Sequence, residues 1–164
     1  MTKSETLAEQ LGQLLLSNSV TVTTAESCTG GGIAQVITSV AGSSAWFTHG
    51  VVTYSNKAKT QLLGVAETTL VEQGAVSQAV VESMALGVAK LAQADYGIAV
   101  SGVAGPSGGS PEKPVGTVWI AWALPESAVS SQQYLFLGDR NSVRNQTVEA
   151  ALSELVKIIS KNTV

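Results

Sequence analysis

Short β-branched runs alternate along this chain with longer segments whose apolar residues recur at helical spacing. The runs that predict strands cover residues 20–25, 50–55, 96–101, 116–124 and 129–137. Such an alternation is typical of α/β proteins, in which helices cover a sheet of mostly buried strands. The sequence therefore predicts a three-layer α/β/α sandwich around a β-sheet.

The sheet is predicted to be mixed, because its last two strands follow one another directly. Residues 116–124 are apolar on both alternating faces, as expected of an interior strand, and residues 125–127 turn straight into the run 129–137. A length of 164 residues suffices for one domain with a real core. We therefore predict a single domain over residues 1–164.

Capping residues and apolar stripes mark the helices. Thr2 and Glu5 form a capping box ahead of an amphipathic helix, Ser55 begins a helix that Gly64 ends, and Ser77 begins another. The residues predicted to face the core in the helix after Ser77 are Val80, Val81, Met84, Val88 and Leu91. Those predicted in a closing helix over residues 140–161 are Val148, Leu152, Leu155, Val156 and Ile159.

Composition and charge exclude several classes of protein. With 45% hydrophobic and 13% charged residues the chain is far from the disordered signature, and a net charge of -3 without a basic cluster predicts no nucleic-acid partner. No apolar run approaches the roughly 20 residues that span a bilayer, so no membrane partner is expected. The single cysteine, Cys28, and an N-terminus without the apolar stretch of a signal peptide favour a reducing cytoplasm.

The segment 26–32 (ESCTGGG) lies where the first predicted strand turns into a helix. At such a turn the Ser27 hydroxyl can be presented above the sheet, and the first helical N–H groups, expected to be unpaired, suit a developing oxyanion. Glycines in this turn let the backbone approach a substrate closely. Ser27 is thus either a nucleophile or a helix cap, which is a common role for serine.

The base that would activate such a serine is not an obvious histidine. The only histidine, His49, has no evident partner and is predicted at a loop or strand edge. Tyr54, Lys57 and Lys59 follow the second predicted strand, and a lysine beside Ser27 would make a Ser-Lys hydrolase. That lysine needs a pKa lowered by about 3 units, which burial can supply. Alternatively, both lysines lie on a solvated helix face.

Metal chemistry is not predicted, because one cysteine and one histidine cannot build a nitrogen and sulfur site and no carboxylates cluster. Arg140 and Arg144, one helical turn apart, either bind a phosphate or form surface ion pairs with Asp139 or Glu149. The segment 102–116, with five glycines and three prolines, is the other phosphate candidate and is predicted to be a ligand loop.

Five blocks in order resemble the CinA C-terminal domain family over nearly the whole chain. They are TTAESCTGG, GVVTYSNKAK with QLLGV, GAVS, SGVAGPSGG with KPVGTV, and GDRNSVR. The resemblance is to the stand-alone amidohydrolases of this family. Larger CinA proteins carry an additional N-terminal molybdopterin-binding-like domain with pyrophosphatase activity, and we expect that second activity to be absent here.

The resemblance implies hydrolysis of the carboxamide of nicotinamide mononucleotide to nicotinic acid mononucleotide and ammonia, in pyridine nucleotide recycling and without a cofactor. It implies that Ser27 is the nucleophile, that Tyr54 and Lys59 activate it, and that the protein is a homo-oligomer, with a homodimer expected. The substrate-binding residues that it implies are Cys28, Thr29, Gly30, Gly31, Ser101, Gly102, Gly105, Arg140 and Arg144.

The expected mechanism is removal of the Ser27 proton by Lys59, with Tyr54 relaying the proton or holding the ammonium group. Ser27 then attacks the carboxamide carbon, backbone N–H groups hold the oxyanion, and water releases the acyl-enzyme after ammonia leaves. Trp46 and Phe47 are candidates for an apolar wall beside the nicotinamide ring.

Two alternatives stay open on the sequence alone. In the first, Cys28 is the nucleophile of the amidase, and Glu26 and Lys59 complete a set like the Cys-Glu-Lys set of nitrilases. In the second, the protein is a nucleotide-binding or competence-related regulatory module without catalysis, and the serine, tyrosine and lysine are structural.

Overall fold

The computed structural model describes residues 1–162, and residues 163 and 164 of the predicted domain lie outside it. The bounds of the helices and strands are α1 Lys3–Asn18, β1 Val22–Glu26, α2 Gly32–Thr38, β2 Phe47–Val52, α3 Asn56–Leu63, α4 Glu67–Gln73, α5 Gln78–Ala92, β3 Tyr96–Gly102, β4 Thr117–Leu124, β5 Ala128–Leu135 and α6 Arg140–Asn162. Helices and strands alternate as predicted from α1 to α3, after which two more helices and then three strands follow one another and α6 comes last. Short 3-10 turns cover Ser43–Ala45 and Pro125–Ser127.

One sheet of five strands in the order β2-β1-β3-β4-β5 forms the middle layer. Strand β1 pairs in parallel with both β2 and β3, whereas β3–β4 and β4–β5 are antiparallel. The predicted mixed sheet and its closing hairpin are confirmed. From β1 the chain passes to β2 on one side and later to β3 on the other, so β1 is the switch point of the sheet, where α/β proteins commonly bind ligands.

The helices cover both faces of the sheet and form two cores. Helices α1, α2 and α6 pack together over one face, and α3, α4 and α5 over the other. The predicted three-layer α/β/α sandwich is therefore confirmed, and the Thr2–Glu5 capping box is present at the start of α1. Among residues 1–162, no helix has both the length and the apolar character needed to cross a membrane.

Three local predictions differ from the structure. Strand β2 covers Phe47–Val52 rather than residues 50–55, because its ladder with β1 starts near Val22 and Ser55 already caps α3. Leu91, predicted in the core, is 47% exposed in the last turn of α5. Helix α4 was not predicted, because its seven residues ETTLVEQ include three β-branched residues and its N-cap residue makes no side-chain bond.

The close approach of α3 to α5, the helix that packs on the sheet, depends on Gly87. A Cβ atom built on Gly87 would lie 2.2 Å from the backbone oxygen of Leu63. Alanine is the better helix former, yet we expect Gly87→Ala to lower the free energy of unfolding by about 1–3 kcal/mol, since backbone must move. Urea unfolding measures this. A variant as stable as the wild type would contradict the packing described.

Candidate active site

Ser27 follows β1 directly, at the switch point of the sheet. Its N–H donates to the Val100 oxygen of β3 at 3.1 Å, and the Thr53 N–H donates to the Glu26 oxygen at 2.9 Å. These bonds place Ser27 where the carboxyl ends of β1, β2 and β3 meet. The serine is only 8% exposed, so its hydroxyl lies in a largely desolvated position.

Lys59 projects from α3 toward this serine. Its Nζ lies 3.1 Å from Ser27 Oγ and donates a second hydrogen bond to the Thr53 carbonyl oxygen at 2.9 Å. The side chain is 1% exposed, and this burial lowers the pKa of Lys59 because the charged ammonium loses its hydration. Lys57, the other candidate, is exposed. The geometry thus supports a nucleophile–base pair of Ser27 and Lys59.

The turn after Ser27 differs from the expectation that the first N–H groups of α2 are unpaired. The Ile33 and Ala34 N–H groups donate to the buried Glu26 carboxylate at 2.8 and 3.0 Å. In the part of the chain that the structure describes, the N–H groups of Thr29 and Gly31 have no hydrogen-bond acceptor. The turn itself, rather than the helix, offers donors to an oxyanion.

Cys28 is the neighbour of Ser27, but its thiol is not activated as a nucleophile. Burial is the main cause that raises the pKa of its thiol to about 12. The Glu26 carboxylate binds Thr29 and helix N–H groups, and Lys59 Nζ bonds to Ser27. The set Cys28–Glu26–Lys59 therefore does not form a hydrogen-bonded catalytic group, and a thiolate is disfavoured near neutral pH.

Two arginines of α6 contact the site in different ways. Arg144 donates from Nε to the Cys28 oxygen and from Nη2 to the Thr29 oxygen, both at 3.1 Å, so it holds the turn. Arg140 is exposed, donating from Nη1 to the Gly105 oxygen at 2.7 Å and from Nη2 to the Tyr54 hydroxyl at 3.2 Å. Arg140 thus joins the segment after β2 to the loop after β3.

Tyr54 is not brought together with the serine and lysine. It follows the end of β2, is 61% exposed, and its hydroxyl accepts from Arg140 rather than bonding to Lys59 or Ser27. The sequence reading missed Thr53, whose carbonyl oxygen holds Lys59 instead. Residue type does not predict this contact with Lys59, because a backbone oxygen makes it.

The glycine-rich loop between β3 and β4 borders an open cleft of about 530 Å³. The residues that line the cleft are Ala104, Pro106, Val115, Gly138, Asp139, Arg140 and Asn141. Ser101 and Gly102 end β3 next to the strand that leads to Ser27, and Ser101 is buried. The predicted ligand loop and Arg140 therefore lie on the same side of the site.

The aromatic wall predicted from Trp46 and Phe47 is wrong. Both side chains are buried in the core beneath α1 and α2, with Trp46 2% and Phe47 9% exposed. Gly12 of α1 makes room for the indole ring. Short apolar runs do not show on their own whether an aromatic ring faces the core or a ligand.

His49 lies on the edge strand β2, is exposed, and its Nδ1 is 2.8 Å from the Thr48 hydroxyl oxygen. This confirms the strand-edge prediction. Within residues 1–162, no group of three or more His, Cys, Asp or Glu side chains is placed to hold a metal ion.

A doubly wound α/β sheet with a buried serine–lysine pair at its switch point defines a candidate serine hydrolase. The chain belongs to the CinA C-terminal domain family, which its residues 4–159 match. It is 54% identical to the nicotinamide-nucleotide amidohydrolase PncC of Escherichia coli K12, over 99% of this chain and 100% of that protein. It is 58% identical to the protein of the same name from Pseudomonas putida, over 93% of this chain and 95% of that protein.

Solved structures share this fold throughout. The competence damage-inducible protein A of Klebsiella pneumoniae is similar with a TM-score of 0.93 and 39% identity, covering 96% of this chain and 97% of that one. The competence/damage inducible protein of Agrobacterium tumefaciens is similar with a TM-score of 0.93 and 40% identity, covering 96% of each chain.

Proposed function

We propose that this protein hydrolyses the carboxamide of nicotinamide mononucleotide, giving nicotinic acid mononucleotide and ammonia in pyridine nucleotide recycling. The name of its near full-length relatives, nicotinamide-nucleotide amidohydrolase, supports this substrate. The one observation on which the serine–lysine chemistry rests is the 3.1 Å distance between Ser27 Oγ and the buried Lys59 Nζ. A serine with a neutral lysine base needs neither metal nor cofactor.

In the proposed mechanism, neutral Lys59 takes the Ser27 proton as Ser27 Oγ attacks the carboxamide carbon. The oxyanion of the tetrahedral intermediate is bound by the free N–H groups of Thr29 and Gly31. The Lys59 ammonium then gives its proton to the departing amine, so that ammonia leaves and an ester to Ser27 remains. Water, deprotonated by Lys59, cleaves this ester and restores the serine.

The substrate's phosphate is proposed to bind Arg140 at the cleft, with the Tyr54 ring beside the nucleotide. Arg140 is exposed, and its bonds to the Gly105 oxygen and the Tyr54 hydroxyl aim its guanidinium between the two segments. Arg144, in contrast, is engaged with two carbonyl oxygens of the turn. We therefore assign the phosphate to Arg140 and the turn to Arg144.

Replacing Arg140 with alanine is expected to raise KM for nicotinamide mononucleotide by roughly 10- to 100-fold, with kcat changed much less, because a charged hydrogen bond in the ground state and the transition state is lost. Steady-state kinetics measures both constants. Nicotinamide riboside, which lacks the phosphate, is the matched control, and its slow hydrolysis should not depend on Arg140. An equal loss on both substrates would contradict the assignment.

The function itself is tested by incubating purified protein with nicotinamide mononucleotide and measuring ammonia, with and without a chelator. We expect ammonia and nicotinic acid mononucleotide in equal amounts, unaffected by chelator. Binding without turnover would favour the alternative of a regulatory module, and chelator-sensitive turnover would contradict the metal-free mechanism.

We also propose that residues 1–164 act as a single domain in the cytoplasm and assemble as a homodimer, without nucleic-acid or membrane partners. The free, buried Cys28 supports the cytoplasmic location, and the absence of a basic cluster in the sequence supports the absence of a nucleic-acid partner. Light scattering on the purified protein measures the assembly, for which a mass of two chains is expected.

A further inference from the structure

Glu26 is a buried carboxylate that the mechanism above does not use. It directly precedes Ser27 and is 1% exposed. One of its oxygens accepts from the Thr29 hydroxyl at 2.5 Å and from the Ile33 N–H at 2.8 Å, and the other accepts from the Ala34 N–H at 3.0 Å. Each oxygen faces a backbone N–H group, which can only donate, so both oxygens act as acceptors. Three such bonds offset the cost of burying the charge.

These bonds tie together the two ends of the turn that carries the nucleophile. Glu26 is the last residue of β1, Thr29 lies inside the turn, and Ile33 is in the first turn of α2. The chain between them must reverse direction within a few residues, and it uses glycines with φ of 58° at Gly30 and 102° at Gly31. Such a turn has few bonds of its own, so its shape depends on what anchors it.

In the anchored turn the carbonyl groups of Ser27, Cys28 and Thr29 accept hydrogen bonds, whereas some of the N–H groups are free. The Ser27 oxygen accepts from the Gly30 N–H at 3.0 Å, and Arg144 binds the oxygens of Cys28 and Thr29. Hydrogen bonding to the Cys28 carbonyl polarises the peptide unit whose N–H belongs to Thr29, which makes that N–H a better donor. The contacts of Glu26 and Arg144 with the turn therefore determine where the N–H groups that would bind the oxyanion point.

We propose that Glu26 is a positioning residue that fixes the direction of the oxyanion-binding N–H groups through the Thr29 side chain and the start of α2. This inference rests on the proposed function. The Glu26 carboxylate bonds to Thr29, Ile33 and Ala34 and not to Ser27 or Lys59, which bond to each other. Its effect should therefore fall on the transition state and not on substrate binding, because the N–H groups are needed most when negative charge develops.

Glu26→Gln tests this with little change in volume. The amide oxygen can replace one carboxylate oxygen, but the amide NH2 then faces the Ala34 N–H, donor against donor. We expect kcat for nicotinamide mononucleotide to fall roughly 10- to 100-fold, with KM within about twofold of the wild type. The rise of kcat/KM with pH should persist, because the hydrogen bonds of Lys59 to Ser27 and Thr53 do not involve Glu26.

A second readout reports on the oxyanion directly. The mononucleotide of pyridine-3-carbaldehyde can accept Ser27 at its aldehyde carbon, giving a hemiacetal whose oxygen occupies the oxyanion position. Its inhibition constant should rise in Glu26→Gln by about the same factor as kcat falls. The control is Glu5→Gln, which removes a carboxylate acceptor of the α1 capping box, where Glu5 accepts from the Thr2 N–H at 2.8 Å. It should leave kcat and the inhibition constant unchanged.

Should Glu26→Gln fail to fold, Thr29→Val removes one bond to Glu26 and Thr29→Ser keeps it. The valine variant is expected to show the same pattern on a smaller scale, and the serine variant, which keeps the hydroxyl that binds Glu26, should recover part of the kcat that the valine variant loses. A folded Glu26→Gln, or a Thr29→Val, with wild-type kcat and inhibition constant would overturn the positioning role alone. Absence of turnover in the wild type would instead overturn the proposed function, and the positioning role with it.

Discussion

Ser27→Ala is expected to lower kcat for nicotinamide mononucleotide by roughly 10⁴-fold or more, because no covalent intermediate can form without the hydroxyl. Binding should survive, since the substitution removes only one oxygen at an 8% exposed position. Ammonia release under saturating substrate measures the loss. Calorimetric titration with the same substrate shows whether affinity is retained.

Cys28→Ala is the matched control at the neighbouring position. Its thiol is buried and its pKa is raised to about 12, so no thiolate nucleophile is removed. We expect kcat within about threefold of the wild type and at most a small loss of stability from the missing sulfur. The reverse result, activity lost with Cys28→Ala and kept with Ser27→Ala, would show that the nucleophile is misassigned.

Lys59→Met is expected to lower kcat/KM by roughly 10³-fold, because methionine fills a similar volume but accepts no proton. In the wild type, kcat/KM should rise with pH through the pKa of Lys59, which burial lowers from 10.5. This rise reflects formation of the neutral amine, and it should be absent in the variant. A pH profile that is the same in both proteins would exclude Lys59 as the base.

Stability should move in the opposite direction to activity in this variant. Because burial lowers the pKa of Lys59 in the folded state, the unfolded chain binds more protons at pH values between the folded pKa and 10.5. The free energy of unfolding of the wild type therefore rises with pH across that window and is at its lowest level below the folded pKa. Lys59→Met should lack this rise. Near neutral pH its free energy of unfolding should be at least as large as that of the wild type, because no ammonium group is buried. Urea unfolding at several pH values measures both.

Much of the fold follows from periodicity and caps that act over a few residues. The Thr2–Glu5 box, Ser55 and Ser77 begin helices as predicted, and the apolar run of β4 is an interior strand. Helix α4 was missed because it is only seven residues long and has no N-cap signal, and Leu70 packs it into the core. Helix propensity describes only local preferences, so it does not include the stabilisation of α4 by packing against α5.

The site was predictable in its reacting side chains but not in its supporting contacts. The sequence placed Ser27 at a strand-to-helix turn, yet it left Lys57 and Lys59 as alternatives, and only the side of α3 that each occupies separates them. Thr53 acts through a carbonyl oxygen and Glu26 through backbone N–H partners. Such roles depend on where the chain passes in three dimensions, and residue type alone does not reveal them.

The central claim is that Ser27, with Lys59 as its base, forms an ester with the pyridine nucleotide. Rapid acid quench of the enzyme during turnover of nicotinamide mononucleotide, followed by peptide mass mapping, tests it most directly. We predict a nicotinic acid mononucleotide acyl group on Ser27, absent from Ser27→Ala and Lys59→Met. The quench is repeated at low temperature, where deacylation of the wild type is slower. An acyl group on Cys28 would contradict this claim. Steady ammonia release without any acylated peptide at low temperature would contradict it as well.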